Sequence, residues 1–437
     1  MSDFPHWPTR PTGKLFHVKG RIGWRNLRRS DFCEDGPYLI TGMHIDDAGR
    51  VDWNACFHIP RQKFDESPEI QVQVGDLAIT KDGTIGKVAR IDWLPGDTSL
   101  NSHLFLVRPV RADRCSTRFA FHVFNSQAFR RYIESHKSGS TLEGLGEAKF
   151  VKFEFPLPTV AEQAAVSNVL DTIDTAIQGT EAIITKLKAV KRGLLHDLLT
   201  RGIDANGELR RPQLEAPHLF KLSPLGWIPK EWEASDASTE FNVDAGITLG
   251  GHRVPRFRPR RYLRVANVHR GRLVLDDIAE LEASDSEAKA RELSPGDLLV
   301  VEGHASTHEI GRCAMADESV RGMLFQNHLF RLRSKNLLTE FALLWLNSDF
   351  VQAYWRMEAA TSSGLNTINR AKLCRMPVAV PERKEQTMIA AREAAIASRI
   401  DDESRVLAKL KAEKAGLMND LLTGRVRVTS LLEPATA

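Results

Sequence analysis

Stepping by four and three residues from Val166 meets Leu170, Ile173, Ile177, Thr180, Ile184, Leu187, Lys191, Leu194 and Leu198, eight apolar residues in ten positions. That spacing lays one narrow apolar stripe along a helix, and a stripe sustained this long predicts pairing with a second helix. The second helix is present in the same sequence. Displaced by 223 residues, the same steps meet Ile389, Glu393, Ile396, Ile400, Glu403, Leu407, Leu410, Lys414, Leu417 and Leu421, seven of ten apolar. Lys191 and Lys414 interrupt the two seams at the same place. A polar residue there either fixes register at some cost in stability or lays its stem along the seam with its ammonium in water. Both helices stop in a Gly-containing segment, Thr200-Arg201-Gly202 and Thr423-Gly424-Arg425. Val169, Ile183, Val190, Leu195 and Leu199, with Met418 and Leu422, lie off the seam and widen the stripe. A stripe wider than two helices need implies burial against further elements, either the chain's own domains or the helices of a partner. Leu194, Leu195, Leu198 and Leu199, and in the second copy Leu417, Met418, Leu421 and Leu422, are the residues expected to dock a partner.

The repeat extends well beyond the seam. KLKAVKRGLLHDLLT near position 186 returns as KLKAEKAGLMNDLLT near 409, and Glu162-Gln163 returns as Glu385-Gln386. Ahead of each helix lies a less similar half with shared landmarks: Tyr38 and Tyr262, Gly75-Asp76-Leu77 and Gly296-Asp297-Leu298, Asn101 and Asn327, Asn125-Ser126 and Asn347-Ser348, Ser138-Gly139 and Ser363-Gly364. The segment Gly303 to Gly311 is five residues longer than its counterpart Gly83 to Gly86. Constant helices with divergent intervening halves describe a duplicated scaffold carrying two different readers. Apolar runs at 76–80 and 297–301 predict buried strands, and 119–132 and 340–354 predict helices. The expected class is α+β, with two mixed α/β domains joined by two long helices in an antiparallel coiled coil, pseudo-two-fold symmetric. The expected divisions are 1–158 for the first domain, 159–203 for its helix, 204–229 for a Pro-rich linker, 230–380 for the second domain, 381–426 for the second helix, and 427–437 for a tail.

Composition narrows the class without naming it. With 42% hydrophobic and 27% charged residues the chain reads as a globular protein, and no apolar run approaches a membrane span. The first residues lack the apolar core of a signal peptide. Five cysteines, an odd number with no CxxC pair, fit a reducing cytoplasm and argue against a zinc site. Catalytic signatures fail one by one. There is no Pro-Pro for the adenine-methyltransferase motif. DGTIGK (82–87) lacks the glycine spacing of a phosphate loop and has Val88 where Ser or Thr would be needed. His304 and His308 are four apart, but Ala305 stands where a zinc protease needs Glu.

Net charge is only +4, so clustering matters more than the total. Arg21, Arg25, Arg28 and Arg29 gather around Trp24, and Arg253, Arg256, Arg258, Arg260, Arg261 and Arg264 gather around Phe257. Both clusters fall just before the Tyr38 and Tyr262 landmarks. Arg-rich loops interleaved with an aromatic suit phosphate contacts and guanine recognition. The expected DNA contacts are Arg21, Arg25, Arg28, Arg29, Lys81, Thr84 and Lys87 in the first half, and Arg253, Arg256, Arg258 and Arg261 in the second.

These segments resemble a known family. PLPTVAEQAAVSNVLDTIDTAI with KLKAVKRGLLHDLLTRG, the second copy ending KAGLMNDLLTG, the linker SPLGWIPKEW, and GRIGWRNLRRSDF, GPYLITG and GDLAITKDGTIGKV are similar to the specificity (S, HsdS) subunits of Type I restriction–modification systems. The resemblance runs over residues 14–426. It implies that each variable half is a target recognition domain reading one half of a split site in double-stranded DNA. It also implies that the helices form a spacer docking two methyltransferase (modification) subunits, with restriction/translocase subunits in the full complex. No catalytic residue, metal or cofactor would then reside in this chain, and methylation with S-adenosylmethionine and ATP-dependent cleavage would belong to the partners. The specificity subunit of a related Type II system and a free-standing DNA-binding coiled-coil protein remain open alternatives at this point.

Overall fold

A computed structural model describes residues 7–20, 29–137, 144–358 and 366–429. The chain divides into two compact units, Met1–Ala182 with Ser404–Ala437, and Ile183–Glu403. The long helices, Val160–Thr200 and Arg383–Thr423, are 41 residues each and contribute one half to each unit.

The two units repeat one topology. In the first, a four-stranded antiparallel sheet runs in the order Phe16–Gly20, Leu104–Pro109, Leu77–Thr80, Val88–Arg90. A three-stranded sheet sets Cys33–Ile40 between Phe57–His58, antiparallel, and Thr98–Leu100, parallel. The second unit has the same orders and directions. Phe241–Ala245, Leu329–Ser334, Leu298–Val301 and Cys313–Met315 form the larger sheet, and Ala279–Glu282, Pro259–Leu263 and Leu324–Phe325 the smaller. The sequence landmarks mark equivalent points: Tyr38 pairs with Thr98 and Tyr262 with Leu324, at the start of each parallel pair.

The landmark glycines have a backbone reason. Gly75 and Gly296 sit at φ of 93° and 89°, a left-handed conformation that side chains resist. The turn feeds Asp76 and Asp297 into the sheet, both nearly buried. There Arg108 donates to Asp76 at 2.7 and 2.6 Å, and Arg333 to Asp297 at 2.6 and 3.0 Å. The central strands Leu77–Thr80 and Leu298–Val301 are buried throughout, as four-residue apolar runs should be.

Where one helix was expected in each half, the structure has two. Thr117–Phe124 is followed by Gln127–His136, and Thr339–Leu346 by Asp349–Glu358. The break is the repeated Asn-Ser. Ser126 accepts from the Phe129 N–H at 3.2 Å and Ser348 from the Val351 N–H at 3.3 Å, so each serine caps a new helix rather than continuing the old one.

Along the seam, Val166, Leu170, Ile173, Ile177, Thr180, Ile184 and Leu198 are buried, as are Ile389, Ile400 and Leu421. Lys414 reaches Asp174 at 2.5 Å in the first unit, and Lys191 reaches Glu393 at 2.6 Å in the second. The lysines therefore make ion pairs inside the seam. Their partners are not equivalent: the position matching Asp174 is Ala397, and the one matching Glu393 is Leu170. A helix paired with a copy of itself would lose these bridges, which favours this pairing and this register.

The docking expectation for the helix ends needs correction. Leu198 and Leu199 are buried in the second unit's own core with Trp232, Phe241 and Phe341, and Leu194 and Leu195 pack on it half-buried. Leu421 and Leu422 are buried in the first unit's core with Phe119, Phe124 and Phe155, with Leu417 and Met418 packed alongside. The widened stripe is covered by the chain's own domains, because each helix end supplies a wall of a hydrophobic core. The large apolar residues the helices leave exposed are Val160 at one helix start and, further along, Ile183, Val190 and Val406.

Candidate nucleic-acid interface

The repeated Glu-Gln at each helix start clamps a domain to its helices. Gln163 accepts from the Ser116 N–H at 2.9 Å and donates to the Arg114 carbonyl at 3.0 Å. Gln386 accepts from the Leu338 N–H at 2.7 Å, at the matching helix start. Beside them, Glu162 meets Arg427 at 3.2 Å and Glu385 meets Arg210 at 2.6 Å. In each unit the arginine comes from the segment that follows the other long helix. Next to this clasp, Gly202 (φ 65°) and Gly424 (φ 76°) end the helices against an indole, Trp232 in one unit and Trp7 in the other. The Trp7 indole N–H donates to the Leu421 carbonyl at 2.8 Å, and Arg427 stacks over its ring. The sequence displayed the Glu-Gln repeat but not its partners, since Arg210 and Arg427 do not share the 223-residue offset.

A second fastening is peculiar to the first unit. Asp171 on the long helix accepts from Arg118 at 2.7 and 2.9 Å and lies 2.7 Å from Nε2 of the fully buried His122, with Arg90 at 3.5 Å. Burial alone would raise this carboxyl, but the hydrogen bonds from His122 and Arg118 and the nearby Arg90 charge hold it well below the usual carboxylate range. His122, Asp171 and Asp174 bring ligand atoms within 4.8 Å of one another. A divalent cation would have to displace Arg118 and Arg90 from Asp171 and Lys414 from Asp174, so the donor set is that of an ion-pair network rather than a metal centre.

Held this way, each domain turns the same end of its larger sheet into a collecting point. In the first unit the strand ending at Gly20 leads directly into 21–29, the Arg-rich segment. Lys81 closes on that strand end, with its ammonium 5.3 Å from the centre of the Phe105 ring. The Lys81 N–H donates to the His103 carbonyl at 2.9 Å, and the Lys81 carbonyl accepts from the Leu145 N–H at 2.7 Å. In the second unit the Glu302 N–H donates to His328 at 3.0 Å, and the Glu302 carbonyl accepts from the Ile368 N–H at 2.7 Å. The strand ending at Ala245 there leads toward the second Arg-rich segment. One sheet end thus joins the divergent loop to the returning chain at Leu145 in one unit and Ile368 in the other, and in sequence the strand there continues into an Arg-rich segment.

Of the expected contacts in the first unit, Arg21, Arg25 and Arg28 lie outside the described residues, as does the side chain of Arg29. Thr84 is exposed in the loop. Lys87 instead donates to the Ile45 carbonyl at 3.2 Å and lies 3.6 Å from Asp47, so it braces the loop.

In the second unit the basic cluster separates into frame and free ends. Arg253 is fixed by two hydrogen bonds to Glu287, at 2.6 and 3.1 Å, and by one to the Glu282 carbonyl. The Arg253 guanidinium holds Glu287 down to about 2. Arg253 is therefore an anchor, a correction to its expected role. The Glu282 carboxylate accepts from the backbone N–H groups of Arg256, Phe257 and Arg258 at 2.8, 3.0 and 2.8 Å, which pins the loop and depresses this carboxyl too. Arg258 and Arg260 share Asp285, and Arg264 takes Asp277. Phe257 stands 89% exposed at the tip, and Arg256 and Arg261 are exposed beside it with no ion pair among the described residues. A pinned loop with free guanidinium groups and an open aromatic can meet phosphates and base faces without first being ordered.

Known proteins bear on this geometry. A family model described as the Type I restriction modification DNA specificity domain matches residues 6–189. The chain is 24% identical over 393 residues to the Type I restriction enzyme EcoKI specificity subunit of Escherichia coli (strain K12), covering 88% of this chain and 81% of that one. It is 22% identical over 392 residues to the StySPI specificity subunit of Salmonella potsdam, with the same coverage of 88% and 81%. The fold matches a chain solved in a study of complex assembly and conformational transition of the type I R-M system, with TM-score 0.58, 14% identity and coverage of 98% and 100%. It also matches the S subunit of M. genitalium, with TM-score 0.53, 13% identity and coverage of 96% and 97%. Among the described residues no helix is long and apolar enough to cross a membrane. With repeat, topology and relatives in agreement, the chain is similar to Type I restriction–modification specificity subunits over most of its length, and its residues 6–189 match their DNA specificity domain.

Proposed function

We propose that this chain is the DNA-recognition subunit of a Type I restriction–modification complex, in which each unit reads one half of a bipartite DNA site. The observation that carries the reading is the doubled sheet end, where in each unit a divergent loop meets the returning chain on an otherwise shared scaffold whose first strand continues in sequence into an Arg-rich segment. Two equivalent frames with unlike loops suit two half-sites of unlike sequence. Exposed Arg256 and Arg261 supply phosphate contacts in the second unit, and Lys81 and Thr84 supply DNA contacts from the loop of the first.

The chain itself performs no chemistry on DNA. Methyl transfer and cleavage belong to separate subunits in the cytoplasm, two of them modification subunits. Those dock along the middles of the long helices, where Ile183 and Val406 occupy matching positions of the repeat and remain exposed. The test is co-expression with a Type I methyltransferase (modification) subunit. The purified complex should methylate adenine at a two-part site, and the chain alone should transfer no methyl group. Methyl transfer by the chain alone, or a complex that methylates without sequence preference, would contradict the proposal.

A further inference from the structure

Each unit holds an imidazole against a carboxylate at the sheet end described above. His103 Nδ1 lies 2.6 Å from Asp82 Oδ1, and His328 Nδ1 lies 2.9 Å from Glu302 Oε2. The histidines are counterparts: each immediately precedes the strand that pairs with the one leading toward the Arg-rich segment. The carboxylates are not. Glu302 occupies the place of Lys81, because each donates its N–H to the histidine carbonyl, whereas Asp82 comes one residue later. Two loops that differ by five residues in length have thus delivered different carboxylates to the same ring nitrogen.

Stability gives little reason for this. The histidine side chains are 40% and 61% exposed, and an exposed ion pair of this kind contributes little to folding. The carboxylate does something more specific. It keeps a proton on Nδ1 and fixes the ring plane, so that the imidazole presents a defined edge. That edge stands at the start of the divergent loop, an element that distinguishes one unit from the other.

We propose that His103 and His328 are specificity-determining residues, each contacting a base edge of duplex DNA in its unit's half-site, with Asp82 and Glu302 as positioning residues that orient the ring. The inference rests on the reading of the chain as a DNA specificity subunit. An oriented imidazole can hydrogen-bond the N7 or O6 edge of a purine in the major groove, and discrimination then depends on its placement.

The test uses the complex with its methyltransferase subunits and maps methyladenine across a genome for wild type, His103→Gln, His328→Gln and Glu302→Gln. Wild type is the control for the underlying reading, since failure to show a two-part site would remove that reading before any variant is considered. His328→Gln should relax preference about tenfold at a position in one half-site and leave the other half as in wild type. His103→Gln should do the converse. Glu302→Gln keeps an acceptor for Nδ1 without the charge, and should relax the His328 position by a smaller factor. Unchanged motifs and rates in both histidine variants would overturn the proposal. So would a uniform fall at every site, which marks a phosphate contact. Thermal unfolding is followed in parallel: a His328→Gln that melts early, with Glu302→Gln normal in preference, would assign the pair to the fold and overturn the proposal equally.

Discussion

Glu162 and Glu385 are the same residue of the same repeat, yet replacing them should have very different consequences. Glu385 is buried and accepts three hydrogen bonds, from Arg210 at 2.6 and 3.1 Å and from the Ile203 N–H at 2.7 Å. Arg210 is itself only 8% exposed. Glu385→Ala leaves that guanidinium buried without its counter-charge, a loss of about 3–5 kcal/mol for a pair of this kind. Arg210 keeps the Arg201 carbonyl at 3.2 Å and Glu231 at 3.5 Å, which places the expected cost near the lower end, about 3 kcal/mol. Glu162 is as buried, but its arginine is not: Arg427 is 38% exposed at 3.2 Å, so the ion pair contributes about 0–1 kcal/mol. Its remaining role is to cap the helix through the Thr159 N–H and hydroxyl, worth about 1 kcal/mol. Glu162→Ala should therefore cost about 1–2 kcal/mol. Urea unfolding measures the totals, and native-state hydrogen exchange at the Ile203 amide and around Thr159 assigns each loss to its clasp. Equal costs in the two variants, or a Glu385→Ala cost below about 1 kcal/mol, would show that burial of the arginine does not decide the outcome.

Three further outcomes follow from the same geometry. Gly202→Ala should be strongly destabilising, because a Cβ there would collide with the Glu385 carboxylate and lie 2.6 Å from Trp232 in a left-handed backbone. Gly424→Ala meets Trp7 at 3.0 Å and should cost less, as melting temperatures of the two variants will show. Glu287, held down to about 2 by Arg253, contributes stability that is fully present above the ordinary glutamate range and lost as pH falls toward about 2. Glu287→Gln should remove that part of the acid dependence of unfolding, and an unchanged pH profile would contradict it. Arg256→Ala and Arg261→Ala should weaken DNA binding and each reduce the salt slope by about one without altering the melting temperature, whereas Arg253→Ala should loosen the loop itself, seen as faster hydrogen exchange at 256–258.

The periodic parts of the fold were legible in the sequence because a repeat exposes its own constraints. The seams, the helix ends at Gly202 and Gly424, and the buried strands at 77–80 and 298–301 all follow from apolar spacing and from glycine. The Asn-Ser breaks were visible as landmarks, but their capping role emerged only with the Ser126 and Ser348 hydrogen bonds. The leucines at the helix ends misled because a stripe wider than a seam says that something covers it, not what. Here the cover is each unit's own phenylalanine-rich core. The arginine cluster was correctly placed in the chain but not resolved into anchors and free ends, since Glu282, Asp285 and Glu287 face it from a strand and a helix more than twenty residues away. The histidine–carboxylate pairs were hidden for a related reason: alignment of the halves puts Lys81 opposite Glu302, and only the folded loops bring Asp82 to the same nitrogen.

If the two units read DNA independently, replacing residues 1–158 by the equivalent half of a relative changes one half-site and leaves the other. The chimera is co-expressed with the methyltransferase subunit and methyladenine is mapped across the genome. The expected result is a two-part site in which one half is new and the other is that of the parent chain. A site changed in both halves, or in neither, would contradict it.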